Sequence, residues 1–379
     1  MRMVKKALYI LVFAGFVACN SNADKNKSVN STQFKLSDSS ASDQAILLYN
    51  NMVKLAKQKI MVGHQDALAY GMGWKDEDFR TDINDVCGDH PAIFGWDLGH
   101  IGDSTNIDDV SFEKMKQWAL KAYAKGGINT YGWHARNFVN DSSSWNLTPC
   151  VQSILPNGEK HEAYLVKLNL VADFFADLKN DKGELIPVLF RPFHEMNGGW
   201  FWWGQNSCTT DEYKALWKFT VDYLRSVRQL HNIIYIYSTD AFNSADEYMA
   251  YYPGDGYVDI LGYDDYKGLN EKKNTPKTVE MIETLANLGN EKGKLYTISE
   301  TGLETIPNEV WFTDVVLSTL KTNSKTLGVS YVLFWRNGSP DHFYAPYPGH
   351  SSAADFVSFK EDETTLFLSE IATIYTQEF

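Results

Sequence analysis

Basic residues are in short supply. Lys and Arg number 35 against 48 Asp and Glu, a formal net charge of −13. A nucleic-acid partner needs Lys/Arg patches to neutralise phosphates, so that class is excluded. Cysteine is also scarce: there are 4 in 379 residues, and no Cys-x-x-Cys spacing occurs to suggest a zinc or redox site. The apolar stretch near the start, Ala7 to Ala18, is too short to cross a bilayer. No internal repeat, low-complexity insert or second domain is visible. Several catalytic signatures are missing too. His194-Glu195 opens like a zinc-protease motif, but Gly198 stands where the second histidine ligand would be. No Gly-x-Ser-x-Gly or Ser-His-Asp order suggests an esterase. No cofactor or metal is called for, and Asp264-Asp265 reads as a solvated loop or a substrate contact.

What is present is a globular composition, 44% hydrophobic and 22% charged, enough for a sizeable core. Aromatics reach 14%, with 11 Trp and 21 Tyr, which favours a stacking surface beyond a plain core. The first residues carry Arg2, Lys5 and Lys6, then the apolar stretch, then Phe16-Val-Ala-Cys19 and a polar run. This resembles a bacterial lipoprotein signal. It implies a signal peptide over 1–18, lipidation at Cys19 and a flexible tether over 19–41. The protein is then exported and lipid-anchored to the outer membrane, on a face the sequence leaves open. A monomer is expected. Export to an oxidising compartment permits a disulfide, and Cys150 and Cys208, in loops after adjacent strands, are the expected pair. Cys87 is then a free thiol.

From Ser42 onward a strand-then-helix pattern recurs eight times. The strands read as 59–65, 90–98, 127–134, 185–193, 232–239, 258–263, 294–299 and 328–335. Helices are expected over 111–125, 161–180, 210–230, 275–291, 308–322 and 364–375. Alternation of this kind demands a parallel sheet, and eight units in this length fit a single (β/α)8 barrel over 42–379. An open doubly wound sheet would carry a Gly-rich phosphate loop after its first strand, and Gly63-His-Gln-Asp is not one.

Barrel active sites lie at the C-terminal ends of the strands. There the fourth strand runs into Arg191-Pro-Phe-His-Glu-Met-Asn-Gly-Gly-Trp-Phe-Trp-Trp-Gly204, an acid beside a histidine under a cluster of rings. A carboxyl in an apolar pocket has a raised pKa and can act as a general acid, and sugar faces stack on tryptophan. Together these suggest a glycoside hydrolase. Glu300 ends the seventh strand, opposite Glu195 across an eight-stranded mouth. Retaining glycosidases need two carboxyls ~5–5.5 Å apart.

The long motif, with His194 where most related glycosidases have Asn, resembles glycoside hydrolase family 26, whose best-known members are β-mannanases. The resemblance covers 42–379. It implies Glu195 as acid/base and Glu300, in Ser-Glu-Thr-Gly, as nucleophile, with Tyr263 hydrogen-bonded to that nucleophile. It further implies substrate contacts from His194, His134, Trp200 near the leaving group, Trp335 as the floor of the −1 sugar, and Arg336 at −2. The expected substrate is a β-mannan or manno-oligosaccharide, cut internally or from an end. The alternatives are a mixed-linkage β-glucanase, a β-1,3-xylanase, and a non-catalytic glycan-binding lipoprotein.

Overall fold

Short runs rich in Ile, Val, Tyr and Phe, buried along nearly their whole length, form eight strands in a computed structural model that describes residues 34–379. They are β1 (Ile60–Gln65), β2 (Ile93–Asp97), β3 (Ile128–Trp133), β4 (Val188–Pro192), β5 (Ile233–Thr239), β6 (Ile260–Asp265), β7 (Leu295–Thr301) and β8 (Tyr331–Phe334). Each pairs in parallel with the next, and β8 returns to β1 through Val62↔Val332, so the sheet closes into the expected (β/α)8 barrel. β4 ends at Pro192, which has no N–H to give to a continuing ladder.

Capping signals set the helix starts. Ser111 accepts from the Lys114 N–H ahead of the helix Phe112–Ala124. Thr209 and Glu212 form a reciprocal capping box ahead of Thr210–Asp222. Two expected helices are partly π-helical, at Tyr223–Val227 and Trp311–Leu317. The helix expected over 364–375 does not form. The regular helix there is Ala353–Glu361. Thr365–Leu366 then adds a short parallel strand beside β1, and Leu368–Ile371 forms a 3-10 turn. The apolar residues of this stretch pack under the barrel rather than along one helical stripe.

Strand alternation sorts the side chains. Met61, Ile93, Ile128, Leu189, Ile234, Ile260, Leu295 and Leu333 fill the barrel interior. They meet Leu48, Tyr49 and Met52 of the helix Asp43–Leu55 and Ile371, Ile374 and Tyr375 of the last segment, which close the bottom. Residues of the opposite parity, such as Val188, Phe190 and Leu261, join the larger shell between strands and helices.

Two further expectations need correction at this point. Residues 34–41 are not a free tether. Asp38 is buried and pairs with His231 Nδ1 at 2.8 Å, and the Ser37 N–H donates to Asp259. The signal segment, Cys19 and the tether up to residue 33 lie outside the described residues. Cys150 and Cys208 do not form a disulfide: both are free, as is Cys87. Cys150 is buried at the start of the short helix Val151–Ile154, while the Cys208 thiol faces the Trp203 carbonyl at 3.2 Å. Burial pushes both thiols up, Cys150 to about 11 and Cys208 to about 12.

Candidate active site

The chain leaves β4 through an abrupt turn. Phe193 (φ 49°) and Glu195 (φ 53°) both adopt the left-handed conformation that side chains with a Cβ rarely take. The turn is held from several sides. The Glu195 N–H donates to the Ser238 carbonyl at 2.9 Å, and the Trp203 indole donates to the His194 carbonyl at 2.7 Å. Asn197 bridges to the loop after β5, donating to the Ala241 carbonyl and accepting from the Asp240 N–H. The Glu195 carboxyl then accepts from Trp200 Nε1 at 2.8 Å. Burial, followed by the charges of Asp264 and Glu300, pushes its pKa well above the ordinary carboxylate range, and the Trp200 hydrogen bond only partly offsets this.

Glu300 reaches the mouth by a different device. Tyr263 pairs with Ile298 and Asp264 with Glu300, so β7 carries one residue more than β6; against β8 the same extra residue appears between Ile298 and Thr301. This bulge at Ser299 breaks the alternation, and the side chains of Ser299 and Glu300 both turn to the interior. Ser299 Oγ meets Ser238 Oγ at 2.7 Å. Glu300 pairs with Arg191 Nη2 and accepts from Tyr266 Oη at 3.1 Å.

Arg191 stands two residues after Leu189 on the inward face of β4. It is 5% exposed and also pairs with Asp264 at 2.9 Å. One cation therefore faces two buried carboxylates. Burial raises the pKa of Asp264 despite Arg191, and the neighbouring Glu300 charge adds to the rise. Burial opposes the Arg191 cation, yet Asp264 and Glu300 outweigh it and hold its pKa high.

Tyr263 is not the hydrogen-bond partner of Glu300. By alternation it points out of the barrel, packs on Phe242 at 5.9 Å and donates to Asp265 Oδ2 at 3.2 Å. Tyr266, just past the strand end, supplies the hydrogen bond instead. Nor do Asp264 and Asp265 lie on a solvated loop, because both are wholly buried. Asp265 fixes the loop after β6 by accepting from Thr278 Oγ1 and the Gly268 N–H.

His194 and His134 form the opposite wall, ring edge to face at 4.6 Å. Burial, then the Arg191 and His134 charges, push the His194 pKa well below the usual range, so this imidazole is neutral. His134 is the reverse. Burial works against its cation, but Asp97 beside Nδ1 at 2.7 Å outweighs it and raises the pKa. The exposed ring of Trp145 stacks on His134 at 5.4 Å. His194, Asp264 and Glu300 bring ligand-capable atoms within 4.8 Å of one another, and the Arg191 guanidinium spans the two carboxylates.

On the rim, Trp335 is half-buried after β8, its N–H bonded to the Thr301 carbonyl at 2.9 Å. Arg336 pairs with Asp108 at 2.9 Å. The structure thus gathers Glu195, Glu300, His134, His194, Trp200, Trp335 and Arg336 at one mouth. It adds Arg191, Tyr266, Trp145 and Asp97, and it sets Asp264, which the sequence read as a loop residue or a substrate contact, beside them. Arg191 had a readable signal, its two-residue spacing from Leu189. Tyr266 and Trp145 had none.

Comparison with known proteins agrees with this geometry. Residues 37–314 match the sequence profile described as glycosyl hydrolase family 26. Among solved structures, a GH26 β-mannanase from Bacteroides ovatus is 37% identical, with a TM-score of 0.85, covering 89% of this chain and 98% of its own. The catalytic domain of a GH26 endo-β-1,4-mannanase from Bacillus sp. JAMB-750 is 32% identical at a TM-score of 0.85, covering 92% and 98%. The mannan endo-1,4-β-mannosidase of Bifidobacterium adolescentis is 28% identical over 94% of this chain, which spans 37% of that protein's length. The corresponding Bacillus subtilis strain 168 enzyme is 36% identical over 48% of this chain and 52% of its own length. The chain therefore spans about half or less of these two curated relatives. Profile, fold and the two differently placed glutamates agree: the chain belongs to glycosyl hydrolase family 26.

Proposed function

We propose that this chain hydrolyses β-1,4-mannosidic bonds of mannan or manno-oligosaccharides with retention of configuration. The observation that carries the reading is the unequal environment of the two glutamates. Glu300 pairs with the Arg191 guanidinium and accepts from the Tyr266 phenol. Glu195 sits where burial and neighbouring acids favour the protonated form. That is the division of labour a double displacement needs. Glu300 attacks the anomeric carbon while Glu195 gives its proton to the departing glycosidic oxygen, leaving a glycosyl ester on Glu300. Glu195, now a carboxylate, takes a proton from water. The water oxygen bonds to the anomeric carbon and Glu300 leaves. The neutral His194, His134, Trp335 and Arg336 line the sugar's path, and Trp200 stands beside the leaving group.

The test is parallel hydrolysis of mannan, mixed-linkage β-glucan and β-1,3-xylan, with Glu300→Ala as control. Mannan is the expected substrate, and the variant should lose orders of magnitude. Faster turnover of glucan or xylan would move the substrate assignment. No turnover of any would favour the non-catalytic glycan-binding reading.

The same proposal includes a leader over 1–18 with lipidation at Cys19, placing a monomeric enzyme on the outer membrane. Metabolic labelling with a tagged fatty acid should mark the wild type and not Cys19→Ala. Light scattering should give the mass of one chain.

A further inference from the structure

In the motif Ser299-Glu300-Thr301-Gly302 the glycine has a steric role of its own. A Cβ added at Gly302 would lie 2.3 Å from Tyr344 Cδ1, and its next nearest atoms, at 3.0 and 3.1 Å, are Cγ and Cβ of the same tyrosine. A methyl group there fits only if the whole Tyr344 side chain moves. Gly302 is therefore the seat of the Tyr344 ring, two residues beyond Glu300. The same ring meets Tyr266 edge to face, with ring centres 6.2 Å apart and planes at 73°. Tyr266 is the tyrosine whose Oη donates to Glu300.

Tyr344 is fastened without help from Tyr266. The buried side chain of Asn337 accepts from the N–H groups of Tyr344 and Ala345 at 2.9 Å each. The Thr305 N–H, in the loop after β7, donates to the Phe343 carbonyl at 2.9 Å. The Tyr344 hydroxyl donates to Glu304 at 3.3 Å, and the same carboxyl pairs with His342 at 2.7 Å. Loops after β7 and β8 thus hold the ring in place. Tyr266 is only half-buried, and Lys267 beside it is exposed. A side chain in that position loses rotamer freedom when it stays turned to Glu300, and a fixed ring against it lessens that cost.

We infer that Tyr344 is a positioning residue: seated on Gly302, its ring backs Tyr266 and keeps the phenol on Glu300. Tyr344 acts through Tyr266 and makes no contact of its own with the reacting atoms. The inference deepens the double-displacement reading above and rests on it.

The experiment is a double-mutant cycle in the full chain, reading kcat/KM on linear mannan, with urea unfolding of each variant as the control for folding. Tyr344→Ala should lower kcat/KM about tenfold. In a Tyr266→Phe background the same change should cost no more than about twofold, because the hydrogen bond it serves is already gone. Tyr344→Phe keeps the ring and should stay within about threefold of the wild type. Gly302→Ala leaves every atom of Tyr344 in the chain but unseats its ring, so it should repeat the loss of Tyr344→Ala and likewise lose its effect beside Tyr266→Phe. Losses that multiply in the double variants would overturn the inference. So would Tyr344→Phe as damaging as Tyr344→Ala, or a folded Gly302→Ala with wild-type kcat/KM. Where Tyr344→Ala does not fold, Gly302→Ala in the two backgrounds decides. A wild type that cleaves no mannan takes down the hydrolase reading itself, whereas an active wild type with multiplying losses takes down only the role of Tyr344.

Discussion

Glu195 combines a left-handed backbone with a carboxyl whose proton is retained by burial, and its loss should have a distinctive signature. A proton from Glu195 matters only when the leaving group is poor. Glu195→Ala should therefore lose far more activity on mannan than on an activated aryl mannoside. Azide should restore turnover on the activated substrate by replacing the activated water. Equal losses on both substrates and no azide effect would remove Glu195 from the acid/base role. The raised pKa also fixes a sign. The acid works in its protonated form, so kcat/KM on mannan should fall as pH rises through the pKa of Glu195. The descending limb should lie on the alkaline side of an ordinary glutamate's range. A pH–rate profile that instead falls toward acid through the same range would contradict the assignment. Tyr266 and Tyr263 give a second contrast. Tyr266 donates to Glu300 and Tyr263 to Asp265. Removing a hydrogen bond to a charged group costs about 1.5–3 kcal/mol, so Tyr266→Phe should lower kcat/KM by roughly 10- to 100-fold. Tyr263→Phe should act mainly on stability, and a larger kinetic effect from Tyr263→Phe would reverse the two roles.

Among the elements, β7 shows what a sequence can and cannot disclose. Its apolar run, its place as seventh strand and the acid at its end were all readable. The bulge at Ser299 that turns Glu300 inward was not, because it exists only as a register difference against both neighbours. The same holds for Tyr263 and Tyr266. Two tyrosines three residues apart look equivalent until strand parity sends Tyr263 into the outer shell. The last segment differs because Thr364 to Tyr375 carries enough apolar residues for a helical stripe, yet Leu366 serves the barrel floor from a short strand and Ile371 from a 3-10 turn. The cysteine pairing failed for a related reason: loops on adjacent strands share a rim, but each thiol points into its own packing. The hairpin after β1, Tyr70–Gly71 with Trp74–Lys75, offers a stability test. Asp82 accepts from the Met72 N–H at 2.9 Å, Trp74 Nε1 at 2.6 Å and Asn337 Nδ2 at 2.7 Å, joining the hairpin to the loop after β8. Asp82→Ala strands these donors and should cost about 3 kcal/mol in urea unfolding. A loss within experimental error of zero would mean that solvent takes over all three.

At the scale of the whole molecule, barrel closure brings residues from β2, β3, β4, β6, β7 and β8 to one mouth, while an aliphatic interior and two terminal segments seal the other end. The fold supplies rigidity, and two local departures from regularity, the turn after β4 and the bulge in β7, aim the glutamates. The central claim is that Glu300 carries the sugar between the two steps. A slowly turned-over 2-deoxy-2-fluoro mannoside with a good leaving group should trap that ester, since fluorine slows both steps and the leaving group restores the first. Peptide mapping by mass spectrometry after brief incubation should then find one fluoromannosyl unit on the peptide containing Glu300, and none in Glu300→Ala. A label on any other residue, or an enzyme that turns over mannan with inverted anomeric configuration and no label at all, would contradict the account.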